Sequence, residues 1–212
     1  MAPRIALISA LKLSIAPIAE SFERLWPEAA RLNLLDDSLS VDRQADGRLT
    51  EAMVQRFIAL GRYAVRLARA DAILFTCSAF GEAIEAVAQD VDVPVLKPNE
   101  AMIAEAAALA RPIGLLATFA PTLESMLEEF PHGVAVEPRL APGALAAAET
   151  GDFEGHDRLT AQAAAGFNAP GAIALAQFSL ARAAPLIEAT TGLQVLTTPD
   201  CAVRALKARL SA

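Results

Sequence analysis

The sequence predicts an α/β fold of two similar lobes, each with a parallel sheet flanked by helices, related by a pseudo-twofold duplication. Short apolar segments of strand length alternate along the 212 residues with longer segments whose apolar residues recur every three or four positions. This alternation is typical of parallel sheets covered by helices. The same order of strands and helices occurs in both halves of the chain, which indicates an internal duplication.

The first half of the chain has the pattern of four strands and four helices. The strands are short apolar segments, at residues 4–9, 31–35, 72–75 and 93–96. Three helices have apolar residues at helical spacing, at residues 14–25, 49–70 and 81–89. A fourth helix begins after Asn99, whose side chain can cap its N-terminus.

The second half repeats this order. Its strands are expected at residues 113–117, 134–137, 172–176 and 193–196. A turn and helix are expected at residues 118–130, and further helices at 157–167 and 180–190. Asp200 can cap a final helix that runs to Leu210. The segment 138–155 is rich in Ala, Gly and Pro, which predicts a loop with a short helix.

Individual residues also match between the halves. Residues 5–8 correspond to residues 113–116, and residues 72–73 correspond to residues 172–173. Three further pairs are 101 positions apart: Ser78 and Ser179, Pro98 and Pro199, and Ala101 and Ala202. We therefore expect one lobe of residues 1–97 with 199–212, a second lobe of residues 98–198, and an active-site cleft between them.

Composition and charge exclude several classes of partner. The net charge is −7 and 5% of residues are aromatic, so neither a basic surface nor a stacking platform for nucleic acid is indicated. Two cysteines are too few for a disulfide framework, and two histidines in separate segments give no metal-ligand spacing, so no metal site is expected. The N-terminus lacks a signal-peptide pattern and no uncharged segment resembles a membrane span, so we expect a cytoplasmic protein without a membrane partner.

Cys77 lies where a predicted strand meets a predicted helix. The strand at 72–75 ends in Thr76, Cys77 and Ser78, and helical spacing starts after Gly81. In open α/β sheets ligands bind at the carboxyl ends of strands, and a helix N-terminus favours a thiolate. Cys77 is therefore a candidate nucleophile or base. The alternative is a small core residue, because free cysteines are often buried.

Two motifs and the duplication together carry a resemblance to a known family. Phe-Thr-Cys-Ser at residues 75–78 follows the third strand, and Pro-Asn-Glu-Ala at residues 98–101 opens a mid-chain helix. In these features the chain resembles the aspartate/glutamate/hydantoin racemase superfamily, which also contains arylmalonate decarboxylase and maleate isomerase. The resemblance implies a cofactor-independent enzyme with its active site between the lobes. It also implies two cysteines, one from each lobe, that face opposite sides of the substrate α-carbon.

Cys77 matches the first-lobe cysteine of that family, but the second-lobe position holds no cysteine. Aligning the strands that begin at residues 72 and 172 places Gln177 there, whereas aligning the serines at positions 78 and 179 places Phe178 there. Neither an amide nor a phenyl ring gains or loses a proton at ordinary pH, so two-base racemisation is not expected. The other thiol, Cys201, starts the last helix, which in the family packs on the first lobe, and we expect it in the core.

The resemblance also implies a set of groups that hold the substrate carboxylate. In the family these are small hydroxyl or amide side chains and backbone N–H groups at the strand ends. The candidate substrate-binding residues of this chain are Ser9, Ser78, Thr118, Thr122, Gln177 and Ser179. Helix capping is the alternative role for each hydroxyl. His132 and His156 are expected in surface loops, and Asp36 in a solvated turn.

We therefore expect an enzyme of this superfamily that acts on a small carboxylate or amide through Cys77, by proton transfer or nucleophilic attack. Decarboxylation and cis–trans isomerisation, both found in the superfamily, are alternatives for a site with a single cysteine. A non-catalytic protein that keeps the cleft and binds a small molecule is a further alternative. No cofactor is expected, and the chain is expected to form a homodimer.

Overall fold

A computed structural model describes residues 2–211. The chain forms two compact units. Unit 1 contains the residues up to Pro98 together with the C-terminal residues from Ala202 onward, and unit 2 is the segment from Asn99 to Cys201. Each unit contains a parallel four-stranded sheet flanked by helices. None of the helices within residues 2–211 is long and apolar enough to cross a membrane.

Unit 1 is built on a sheet with two fully covered central strands. Its strands are β1 Arg4–Ser9, β2 Ala30–Leu35, β3 Ala72–Phe75 and β4 Val95–Leu96. Their order in the sheet is β2-β1-β3-β4, and all neighbours are parallel. Apart from Arg4, every residue of β1 and β3 is buried, as expected for strands covered by helices on both faces.

The helices of unit 1 hold the carboxyl end of β3 in position. They are α1 Ile15–Leu25, α2 Ser38–Asp46, α3 Glu51–Arg62 and α4 Gly81–Asp90. A π-helical turn, Tyr63–Leu67, continues α3. The ring of Phe57 in α3 lies 5.3 Å from that of Phe75 and 4.8 Å from that of Phe80, measured between centroids. This aromatic cluster joins α3 to the strand and turn that carry Cys77.

Unit 2 has the same architecture. Its strands are β5 Ile113–Ala117, β6 Val136–Leu140, β7 Ala172–Leu175 and β8 Val195–Thr197. Their order is β6-β5-β7-β8, again parallel throughout. The helices are α5 Glu100–Ala108, α6 Ala120–Glu129, α7 Ala144–Glu149, α8 Phe153–Ala165 and α9 Ala184–Thr191. The last helix, α10 Thr198–Ser211, begins in unit 2 and continues into unit 1.

The repeated strand order confirms the predicted duplication. Residue 5 pairs with residue 72 in unit 1, and residue 113 pairs with residue 172 in unit 2. The register holds at the next strands, where residues 73 and 95 pair in unit 1 and residues 173 and 195 pair in unit 2. Ser179 therefore corresponds to Ala79, so the predicted match between Ser78 and Ser179 is wrong.

Some element boundaries differ from the prediction because short-range hydrogen bonds and turns decide them. α8 begins at Phe153 because the Asp152 side chain accepts a hydrogen bond from the Gly155 N–H at 2.9 Å. The predicted loop at 138–155 therefore contains the start of this helix. The sequence pattern does not predict α2, because its few apolar residues form no helical stripe. Gly47, with φ 65°, ends α2 in the left-handed conformation that glycine adopts easily.

Two predicted caps are wrong. Asn99 precedes α5, but its side chain makes no capping hydrogen bond, and its Nδ2 is buried without a partner among residues 2–211. At the start of α10, Thr197 Oγ1 accepts a hydrogen bond from the Asp200 N–H at 3.2 Å, so Thr197 rather than Asp200 supports the helix start. β6 also begins two residues later than expected, at Val136.

Candidate active site

The carboxyl end of β3 places Cys77 at the start of a tight turn. Thr76 follows the buried strand, and a 3₁₀ turn over Ser78–Phe80 leads into α4. Cys77 has an extended backbone conformation and is half-buried. It therefore lies at the edge of the sheet where ligands bind in open α/β folds.

Burial raises the pKa of the Cys77 thiol above its ordinary value. The backbone N–H of Ala79 lowers the pKa because it interacts with the charged form, but burial is the larger influence. No cationic side chain of the described chain contributes to the shift. Burial and the N–H of the turn thus act in opposite directions on the pKa, and the raised pKa favours the protonated thiol over the thiolate that a helix N-terminus favours.

Three buried hydroxyl groups form a chain next to Cys77. Thr76 Oγ1 donates to Ser9 Oγ at 2.8 Å and lies 2.7 Å from Ser14 Oγ. Ser14 Oγ also donates to the carbonyl oxygen of Leu11 at 2.8 Å. Each hydroxyl has one proton, so Ser14 donates to Leu11 or to Thr76 but not to both at once. When Thr76 donates to Ser9, the proton of Ser9 is left for a further acceptor. Ser9 thus offers a hydrogen-bond donor at the end of β1.

Gln177 occupies in unit 2 the position that Cys77 occupies in unit 1. Each residue comes two positions after the end of its strand, has an extended backbone, and precedes a 3₁₀ turn. Gln177 Oε1 accepts hydrogen bonds from the N–H and the Oγ1 of Thr118, at 2.8 and 2.9 Å. Phe178 is buried in the core. The strand register therefore selects Gln177 over Phe178 as the residue that corresponds to Cys77.

Of the remaining predicted hydroxyl groups, two follow these strand ends in the chain and the third follows β5. Ser78 and Ser179 are half-buried in the 3₁₀ turns after β3 and β7, and Thr122 is half-buried in α6. Thr122 is the third residue of α6 and not its cap. Neither these turns nor α6 begins with a side-chain capping hydrogen bond, so capping does not account for the three hydroxyl groups.

His156 is buried, so the expectation of a surface loop is wrong. It lies near the start of α8, with its Nδ1 2.8 Å from Asp157 Oδ1. Asp157 Oδ1 also accepts a hydrogen bond from Arg182 Nε at 2.9 Å. Arg182 belongs to the 3₁₀ turn that follows Gln177, so this cluster connects α8 to that turn. The Asp-x-x-Gly capping pattern just before His156 is the signal that would have placed it in the helix.

The other titratable groups considered from the sequence have structural environments. Cys201 is fully buried in α10, and His132 is exposed between α6 and β6. Burial raises the pKa of Asp36, but hydrogen bonds from Ser38 and Arg56 outweigh it and leave the pKa lowered. Asp36 is therefore an ionised partner of Arg56. Within residues 2–211, no group of three or more His, Cys, Asp or Glu side chains is arranged to hold a metal ion.

Arg43 is a half-buried cation on α2 that the sequence pattern does not single out. Its Nε is buried and has no hydrogen-bond partner in the part of the chain that the structure describes. α2 is attached to the end of β1, because Ser40 Oγ donates to the carbonyl oxygen of Ala10 at 2.7 Å. Arg43 lies one turn further along this helix and is a candidate for binding an anion. No sequence signal marks it, because its surroundings depend on how α2 packs.

Comparison with known proteins gives consistent similarities. A family profile described as Asp/Glu/Hydantoin racemase matches residues 18–206. Glutamate racemase isoform RacE1 from Bacillus anthracis superposes with a TM-score of 0.71 at 15% identity, over 99% of this chain and 82% of that protein. Aspartate racemase from Picrophilus torridus gives 0.70 at 12% identity, over 93% and 89%. Arylmalonate decarboxylase gives 0.65 at 14% identity, over 94% and 88%. No curated protein matches the chain.

Proposed function

We propose that this chain, which belongs to the Asp/Glu/hydantoin racemase family, is an enzyme that acts on a small carboxylate or amide through one proton-transferring cysteine, Cys77. The observation that carries the proposal is the difference between two corresponding strand ends. Unit 1 has a thiol after β3, whereas unit 2 has the Gln177 amide at the same register, with its oxygen bonded to Thr118.

Gln177 is suited to binding a ligand and not to moving a proton. A side-chain amide neither gains nor loses a proton at ordinary pH. Its Oε1 already accepts two hydrogen bonds from Thr118, at 2.8 and 2.9 Å, so the donors on its Nε2 are the groups left for a substrate oxygen. Two-base racemisation needs an acid or base on each side of the α-carbon, and this position supplies neither. The proposed chemistry is therefore one-sided.

A protonated thiol can give a proton to a carbanion, which favours decarboxylation as the second candidate function. In that reaction the C–C bond to the leaving carboxylate breaks, carbon dioxide departs, and the electron pair remains on the substrate as an enediolate. The Cys77 S–H proton then forms the new C–H bond, and the thiolate takes a proton from water. Cis–trans isomerisation by thiolate addition would instead begin from the charged form, which burial disfavours.

The proposed substrate-binding groups lie at the strand ends of each unit. In unit 1 these are the Ser9 hydroxyl, the Ser78 hydroxyl, the backbone N–H groups at the start of the turn before α4, and the Arg43 guanidinium. In unit 2 the proposed contributors are Thr118, Thr122, Gln177 and Ser179. Arg43 strengthens the case for an anionic substrate, because a cation with a buried and unpartnered Nε is stabilised when an anion binds it.

Cys77→Ser tests the proposal. Turnover would be measured over a panel of small carboxylates and amides that includes aspartate, glutamate, hydantoins and substituted malonates, by release of carbon dioxide and by incorporation of solvent deuterium. We expect Cys77→Ser to lower turnover at least about a hundredfold and to leave the melting temperature within a few degrees. Cys201→Ala, which removes the buried thiol instead, should keep most of the activity. Full activity in Cys77→Ser would place the chemistry elsewhere.

One-sided proton transfer also predicts the stereochemical outcome. In D₂O the unmodified protein should exchange the α-hydrogen of at most one enantiomer of an amino acid or hydantoin, and it should form no racemate at a useful rate. Gln177→Cys adds a proton carrier at the corresponding position of unit 2 and should produce measurable racemisation. Rapid racemate formation by the unmodified protein would contradict the single-cysteine proposal. A protein that binds members of the panel but turns over none would be the non-catalytic alternative.

A further inference from the structure

Two exposed leucines lie in the segment that is hydrogen-bonded to the residue before Cys77. Leu11 and Leu13, between β1 and α1, are 45% and 52% exposed. The carbonyl oxygen of Leu11 accepts a hydrogen bond from Ser14 Oγ at 2.8 Å, and Ser14 Oγ lies 2.7 Å from Thr76 Oγ1. Thr76 directly precedes Cys77. The backbone at Leu11 is therefore held next to the strand end that carries the thiol.

The corresponding position in unit 2 is also apolar and exposed. By strand register, residue 5 corresponds to residue 113, so Leu11 corresponds to Phe119. Phe119 is 48% exposed and directly follows Thr118, the residue that binds Gln177. Single exposed apolar side chains are common on protein surfaces and need no explanation. A large apolar side chain at the same position of both repeats, each beside a candidate site residue, is a repeated feature of the fold and indicates a role in binding.

Two cations in or beside this part of unit 1 have acidic partners within the protein. Lys12, between the two leucines, pairs with Asp37 at 3.1 Å. Arg56 pairs with Asp36 at 2.5 Å. Arg43 is the cation already proposed to bind the substrate carboxylate. A second carboxylate on the substrate would thus contact leucine side chains and cations that already have acidic partners. The free energy cost of removing that carboxylate from water would be poorly compensated.

From these contacts we infer that the substrate of Cys77 is a carboxylate with an apolar substituent, alkyl or aryl, which packs on Leu11 and Leu13. This inference deepens the proposed function and rests on it. Binding such a substituent removes apolar surface of both the leucines and the ligand from water, which gives a preference over acidic substituents. The substrate class is therefore distinct from aspartate and glutamate, whose side chains end in a carboxylate.

The experiment measures how well three carboxylates protect Cys77 from alkylation at alkaline pH, with the modified cysteine identified by mass spectrometry. Phenylacetate carries an apolar ring, glutarate carries a second carboxylate, and acetate carries neither. We expect phenylacetate to protect Cys77 at a concentration at least about tenfold lower than glutarate or acetate. Equal or better protection by glutarate would overturn the inference.

Variants of the leucines assign the preference to these side chains. Leu11→Asn and Leu13→Asn should each reduce the preference for phenylacetate at least about threefold. Leu67→Asn changes a leucine of the same unit that is 73% exposed and lies in the turn before β3, and it should keep the full preference. Thermal unfolding confirms that each variant is folded. An unchanged preference in both Leu11→Asn and Leu13→Asn would overturn the inference.

Two further outcomes separate this inference from its premise. If all three carboxylates protect Cys77 without preference, the proposed function stands and the inference is wrong. If none protects it, the proposed function is wrong and the inference fails with it. A change of oligomeric state in Leu11→Asn or Leu13→Asn, measured by size-exclusion chromatography with light scattering, would assign the leucines to contact with a second copy of the chain and would also overturn the inference.

Discussion

The ionisation of Cys77 is the property on which the proposed chemistry depends most. Burial raises the pKa of this thiol above that of a free thiol, and the Ala79 N–H offsets part of the effect. A raised pKa favours the protonated thiol over the thiolate. Alkylation of Cys77 should therefore be slow at neutral pH. Its rate should rise with pH up to an inflection above the value of a free thiol, because the thiolate is the reactive form.

The assay measures the alkylation rate of each cysteine by iodoacetamide over a series of pH values. Cys201 is fully buried and serves as the internal control, since it should react only when the chain unfolds. An inflection for Cys77 below the value of a free thiol, about 8.5, would refute the reasoning. It would mean that the N–H groups at the start of the turn outweigh burial, and that a thiolate is available for proton abstraction or nucleophilic attack.

The raised pKa of Cys77 also predicts how the stability of the protein depends on pH. In the unfolded chain the thiol titrates at about 8.5, below its folded-state pKa. The contribution of Cys77 to stability is therefore fully present below that pH and is lost as the pH rises through the folded-state pKa. The unfolding free energy falls by at most about 1.4 kcal/mol per pH unit because of this one group. Denaturant unfolding would be measured for the unmodified protein and for Cys77→Ala at several alkaline pH values. The difference in unfolding free energy between the two proteins should shrink as the pH rises. A constant difference would contradict the raised pKa of Cys77.

Two further predictions concern packing and the Gln177 contact. In Gly61→Ala the new Cβ lies 2.5 Å from Val87 Cγ1, so we expect a loss of about 1–3 kcal/mol in unfolding free energy. In Gly81→Ala the new Cβ has no atom within 4 Å, so the unfolding free energy should rise by up to about 1 kcal/mol. Equal melting temperatures of the Gly61 and Gly81 variants would contradict this expectation. Thr118→Val removes one of two hydrogen bonds to Gln177 and should cost about 0.5–1.5 kcal/mol by denaturant unfolding, whereas Thr118→Ser should cost less. Equal losses in the two Thr118 variants would argue against the hydroxyl contact.

Most of the fold could be predicted from local sequence patterns. β1, β3 and β5 lie where short apolar runs predict them, because a strand covered on both faces needs apolar residues at nearly every position. The recurrence of the pattern also predicts the duplication. α2 and the start of α8 could not be predicted this way, because one depends on packing and the other on a single capping hydrogen bond from Asp152.

The candidate site could be predicted in part. The sequence by itself determined that a cysteine follows the third strand, and that the corresponding position of the second half holds no cysteine. It did not determine whether that position is Gln177 or Phe178, because two alignments one residue apart match equally well. Tertiary structure decided for Gln177, because the paired segments of β3 and β7 end at residues 75 and 175 and the 3₁₀ turns that follow begin at residues 78 and 178.

Burial was also decided by tertiary structure alone. The helix N-terminus beside Cys77 is a local feature, and it predicts a lowered pKa. The larger influence, burial, comes from segments distant in the chain that pack around the thiol, so the pKa is raised instead. The burial of His156 near the start of α8 and of the Arg43 Nε on α2 also depends on tertiary packing. Sequence determines which groups a strand end carries, but their surroundings depend on residues that only the folded chain brings next to them.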